Sequence, residues 1–246
     1  FSALERAIDA GFLPPICALL EAGARVIPTG DRKNYPLLQA AFHGMALAGN
    51  RLIAAGASVS DGPAVWLQPL HVAARRGHLG FVDLLVRHGA DLEAPGREDC
   101  CLGLREGSWE QQSRKPWPAH GSPVLTSPLG LAARGGHLAV CEYLLRAGAD
   151  PNRRGISADT PLIRAAARGN AGLAELLLDH GALANLGTKS GISPLLAAVA
   201  QDQMAVVSLL LARGAVANVA DENGWTPLHQ AAVDSTPGMV GMLLSK

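Results

Sequence analysis

The strongest constraint on this chain is a period of 33 residues. Counting back 33 from Leu228 reaches Leu195, then Leu162, then Leu129; one interval of 59 leads to Leu70, and 33 resumes at Leu37 and Leu4. The best-formed copy reads Asp221-Glu222-Asn223-Gly224-Trp225-Thr226-Pro227-Leu228-His229, followed by Gln-Ala-Ala. Gly224 permits a tight turn, Thr226 is a helix N-cap, and Pro227 sits at the first helical position, where its missing N–H costs nothing. Ala231 and Ala232 leave a smooth surface on which another helix can approach. A chain with a fixed period of this length stacks one supersecondary unit on the next, and each unit is stabilised by its neighbours.

Two further landmarks keep the same phase. Gly23, Gly56, Gly89, Gly148, Gly181 and Gly214 are each followed by Ala and suit the left-handed position that closes a helix. Gly11, Gly44, Gly77, Gly136 and Gly169 fall between two helical runs, with Asp202 and Ser235 at that position in the last two units. Stretches such as Val206–Leu211 carry apolar residues at helical spacing. Each unit therefore reads as a short helix, a tight turn, a second helix and an extended link. Pro14 and Pro15 fall in the first turn of a second helix and are tolerable there. Gly49 and Arg51 stand where the second unit should be apolar, which predicts a loose or displaced second helix.

This pattern resembles the ankyrin-repeat family, whose marks are a 33-residue period and the Thr-Pro-Leu-His-x-Ala signature seen here at Thr226–Ala231. The resemblance implies an all-α solenoid of stacked helix-turn-helix units with turn-like fingers. It covers residues 1–246 as a single array of about seven repeats, the last truncated. Between the third and fourth units lie 26 extra residues, within about 95–126, holding Cys100, Cys101, Trp109, Trp117, His120 and four prolines. By register this segment replaces one finger, and its Pro, Gly and Ser content argues against a long helix.

Composition narrows the function. Lys plus Arg equals Asp plus Glu at 21 each, so the broad basic field of nonspecific nucleic-acid binding is missing. Apolar residues make up 48% of the chain, mostly alanine and leucine, yet no run approaches the ~18 consecutive apolar residues of a membrane helix. Four cysteines without a CxxC pair argue against a disulfide scaffold and for an intracellular, cytoplasmic or nuclear, location. Cys100, Cys101 and His120 make a poor metal set, because adjacent cysteines strain a tetrahedral site. No phosphate-binding loop, nucleophile elbow or His-Glu-x-x-His motif is present. Neither a catalytic residue nor a cofactor is expected. His71 and His229, at the signature position, should bond backbone and steady the turn.

What remains is surface. The resemblance implies that a partner meets the concave face, formed by the fingers and the ends of the first helices. At those positions stand Phe42 and His43 near one end, Arg75, Arg76, Arg134 and Arg168 in the middle with Arg164 nearby, and Lys189 and Trp225 towards the other end. Asp9, Asp159, Glu222 and Asp234 supply acidic flanks. Arginine favours bidentate contacts with carboxylate or phosphate, so the expected partner is a protein or peptide, acidic or phosphorylated. Trp109 and Trp117 either fold back over the repeats or anchor that partner. Two other classes stay open: a substrate-recruiting or regulatory segment of a larger enzyme or ubiquitin-ligase receptor, and a spacer. The family's asparaginyl hydroxylation is implied for Asn152 and Asn218, whose flanking residues resemble its preferred setting.

Overall fold

Helix starts and stops follow from local chemistry repeated down the chain. In the computed structural model, which describes residues 3–26, 35–60, 62, 68–97, 125–155, 158–234 and 237–245, first helices open on proline. They are α3 (Pro36–His43), α5 (Pro69–Arg76), α7 (Pro128–Gly135), α9 (Pro161–Ala167), α11 (Pro194–Val199) and α13 (Pro227–Asp234). The initial helix, α1 (Ala3–Asp9), starts without one. Thr160 Oγ1 accepts from the Ile163 N–H at 3.3 Å and Ser193 Oγ from the Leu196 N–H at 3.1 Å, satisfying donors that a helix start leaves open. Thr226 Oγ1 does the same for the His229 N–H at 3.3 Å. Second helices are α2 (Leu13–Glu21), α4 (Ala46–Ala54), α6 (Leu79–Arg87), α8 (Leu138–Arg146), α10 (Ala171–Asp179), α12 (Met204–Ala212) and α14 (Pro237–Leu244). Asp202 takes the left-handed conformation, φ 52°, that its glycine counterparts adopt between paired helices.

The chain divides into two units, residues 1–131 and 132–246. In the first, α1, α3 and α5 pack in succession, each against its own second helix, and α2, α4 and α6 form the parallel second row. In the other, α9, α11 and α13 make the first row, while α8, α10 and α12 succeed one another behind it. The core repeats as the sequence does: Leu4, Leu37, Leu70, Leu129, Leu162 and Leu195 are each at most 2% exposed. Alanine pairs Ala40-Ala41, Ala73-Ala74 and Ala165-Ala166 are fully buried and let first helices approach closely.

The second helix of the second repeat corrects an expectation. Far from loose or displaced, α4 is an ordered helix exactly in phase with α2 and α6 and packed on α2, α3 and α6. Gly49 is buried because the ring of Phe81 fills the space its side chain would occupy, and Arg51 points to solvent. A large residue in one repeat is compensated by the smallest in the preceding one.

Where the long interval begins, β1 (Gly96–Arg97) pairs antiparallel with β2 (Leu125–Thr126), Gly96 opposite Thr126 and Arg97 opposite Leu125. These are the only strands among the described residues. The residues that leave and rejoin the repeat register are thus tied side by side. His71 braces this base: its Nδ1 accepts from the Gln68 N–H at 3.2 Å, and its Nε2 bonds the Ala94 carbonyl at 2.9 Å. Burial holds the His71 pKa below its ordinary value, so the ring is neutral and can serve as acceptor and donor at once.

Candidate partner-binding surface

The C-terminal ends of the first helices carry six of the side chains singled out by sequence: Phe42, His43, Arg75, Arg76, Arg134 and Arg168. In the first unit they form one connected group drawn from α1, α3 and α5. Asp9 accepts from the Gln39 amide and lies 3.5 Å from His43 Nε2. The His43 ring meets Phe42 edge-on, with centroids 5.2 Å apart and planes at 85°. The Arg76 guanidinium carbon stands 3.6 Å from the centre of the Phe42 ring, a close cation–π stack. His78 Nε2 bonds the Phe42 carbonyl at 3.1 Å, and its ring lies against Gly44, where a Cβ would come within 2.6 Å of it. His78 and His43 therefore fix the Phe42 backbone and ring while Arg76 remains exposed. Arg75, on the same helix, is half-buried.

In the second unit the corresponding positions carry less charge. Arg134 is half-buried and Arg168 is exposed, with Ala167, Ala200 and Val233 in register beside them. Arg164 and Asp159 pair with each other at 2.6 Å and are both largely covered, so together they add no net charge to this surface. That removes Arg164 from the expected basic centre and Asp159 from its acidic flank. Lys189 is exposed on one finger. On the last finger Trp225 is 40% exposed; its indole N–H donates to Gln230 Oε1 at 2.9 Å and its ring tilts over His229. The His229 Nδ1 in turn accepts from the Thr226 N–H at 3.2 Å, the turn-bracing role expected of it. Trp109 and Trp117, with Cys100, Cys101 and His120, lie outside the described residues.

Sequence reasoning missed the structural role of two asparagines, Asn152 and Asn185. Asn152 donates to the Gly181 carbonyl at 3.0 Å and accepts from the Leu183 N–H at 2.8 Å. Asn185 repeats this with Gly214 at 3.2 Å and Val216 at 2.8 Å. Each carboxamide clamps one finger to the end of the following helix pair, so these residues align the surface without belonging to it. Their spacing of 33 was the available signal.

No group of three or more metal-ligating side chains occurs among the described residues, and no described helix is long and apolar enough to cross a membrane. Cys17 and Cys141 are free thiols. Burial pushes the Cys141 thiol pKa up to about 12, which makes it a core residue rather than a nucleophile.

Comparison with known proteins agrees with this architecture. A sequence model described as ankyrin repeats in three copies matches residues 120–187 and 162–246, and an ankyrin-repeat model matches residues 68–97. The Caenorhabditis elegans protein "Ankyrin repeat and KH domain-containing protein mask-1" is 30% identical over 157 residues, covering 58% of this chain and 6% of that protein. The Danio rerio "Ankyrin repeat and SOCS box protein 11" is 34% identical over 108 residues, covering 38% of this chain and 34% of that protein. The chain thus spans a minor part of both curated relatives. Among solved structures, the human ASB11 ankyrin repeat domain matches with a TM-score of 0.79 at 24% identity, over 100% of this chain and 97% of that one. The ankyrin repeat domain of Bcl-3, described as a member of the IkappaB protein family, matches with a TM-score of 0.76 at 23% identity, over 99% of this chain and 98% of that one.

Proposed function

We propose, since this chain belongs to the ankyrin-repeat family, that it is a non-enzymatic module that binds another protein through the ends of its first helices and their fingers. Stacked repeats offer such a surface already ordered, so little conformational entropy is lost when a partner docks. The observation that carries the reading is the exposure of Arg76, Arg168, Lys189 and Trp225 at finger and first-helix positions, while the groups behind them are buried. The partner is a protein or peptide with acidic or phosphorylated residues, because Arg76, Arg168 and Lys189 stand exposed at these positions and arginine favours bidentate contacts with carboxylate or phosphate. Trp109 and Trp117 in the long inserted segment add contacts to the same partner.

Affinity purification from cell extract with the chain and its Arg76→Glu, Arg168→Glu double variant tests this. A partner captured by the first and lost by the second, with helicity and melting unchanged, supports the proposal. A partner retained equally by both counts against it. A second reading, that the chain recruits a substrate for a larger assembly, is favoured by the relative whose name includes a SOCS box. A SOCS-box-like sequence in the parent gene would favour it.

A further inference from the structure

Phe42 and Arg76 form the best-defined receptor on this surface. A guanidinium carries its five N–H donors in its own plane. With its guanidinium carbon 3.6 Å from the centre of the Phe42 ring, Arg76 covers the aromatic face and leaves its in-plane N–H donors open to a ligand. No ion pair or hydrogen bond engages the Arg76 side chain among the described residues. Asp9, on α1 two repeats away, is engaged by Gln39 and His43. The platform is rigid from below: the His78 ring bonds the Phe42 carbonyl at 3.1 Å, and His43 meets the Phe42 ring edge-on. The result is one positive charge held over an aromatic face, with donors spaced for two oxygens of a single planar anion.

Building on the partner-binding reading above, we infer that Arg76, oriented by Phe42, is a receptor for a carboxylate side chain, Asp or Glu, in an acidic segment of the partner. A carboxylate is planar and takes two parallel N–H bonds from one guanidinium. A phosphate monoester carries nearly twice the charge and is usually met by an arginine cluster. Here the stack holds a single guanidinium, and the adjacent Arg75 is half-buried. Phe42 acts as a positioning residue and Arg76 as the contact.

The test titrates the chain with fluorescein-labelled peptides in which Ala alternates with Glu, with Gln or with phosphoserine, followed by anisotropy and by the NMR signal of the Arg76 side-chain N–H. The expected result is binding of the Glu peptide, a shift of that signal, and little binding of the Gln peptide. Arg76→Lys keeps the charge and loses the fork, and Phe42→Leu keeps the bulk and loses the stack. Phe42→Leu should weaken binding by about two- to fivefold, the scale of an exposed cation–π contact. Arg76→Lys should weaken it at least as much through loss of the second parallel N–H bond, while Arg51→Ala, at an exposed position on the second helix α4, leaves it unchanged. Preference for the phosphoserine peptide overturns the inference, as does equal binding by wild type and Phe42→Leu. If the extract partner depends on Arg76 and Arg168 but no Glu peptide binds, this inference fails while the partner-binding reading stands. If that partner is indifferent to both arginines, the broader reading fails instead.

Discussion

Adding a side chain at Gly49 sets two effects against each other. A glycine inside a helix costs about 1 kcal/mol relative to alanine, so Gly49→Ala should on propensity alone stabilise α4. The repeat register argues in the same direction, because the equivalent positions hold Val82, Cys141, Ala174 and Val207, all fully buried. The packing argues otherwise. A Cβ at Gly49 would stand 2.7 and 2.8 Å from Cε2 and Cζ of Phe81 and 2.9 Å from Cδ2 of Leu84. Leu84 can yield at its tip, but Phe81 is fully buried and its ring has nowhere to turn. Overpacking of this kind costs roughly 1–3 kcal/mol. Set against the propensity gain, Gly49→Ala should lose up to about 2 kcal/mol, and Gly49→Val, with two more methyl groups and less helix propensity than alanine, should lose more. Urea unfolding followed by circular dichroism gives both values. A double-mutant cycle with Phe81→Leu should show coupling of about 1 kcal/mol or more, since the smaller side chain relieves the conflict. If Gly49→Val matched or exceeded wild-type stability, the argument that Phe81 claims this space would be wrong.

Three further outcomes follow from the same structure. The lowered pKa of His71 means the unfolded chain binds that proton more readily, so stability is full above the ordinary value of 6.5 and falls as pH drops below it; urea midpoints at about pH 7.5 and 5.5 should show a steeper loss for wild type than for His71→Gln. Leu144→Ala removes a fully buried side chain and should cost about 2–5 kcal/mol by the same assay. Replacing residues 98–124 with Asn-Gly should leave the helical signal of the remaining chain intact, because Arg97 and Leu125 already face each other across β1 and β2 and that dipeptide closes a two-residue hairpin. Loss of helix would make the removed segment part of the core.

Much of this fold was legible because its determinants are local and repeated. A proline after Thr or Ser starts a helix at Pro161, Pro194 and Pro227, and Gly-Ala follows the second helices, so these boundaries depend on no tertiary information. The second helix of the second repeat was misjudged because Gly49 makes sense only beside Phe81, 32 residues away, and compensation between repeats leaves no trace within either one. The surface was read by the same register. Register gives the face on which a side chain lies but not its neighbours, so the Asp159–Arg164 pair and the stack of Arg76 on Phe42 emerged only from coordinates. Asn152 was considered for modification and Asn185 was passed over, because the backbone bonds both make reach 29 and 31 residues along the chain.

The central claim is that a partner docks on the ends of the first helices and their fingers. Hydrogen–deuterium exchange of the chain with and without its captured partner tests it most directly. Added protection should fall on residues 39–44, 73–78 and 165–170 and on the finger around Lys189, with the outward faces of α6, α10 and α12 unchanged. Protection confined to those second helices would contradict the account.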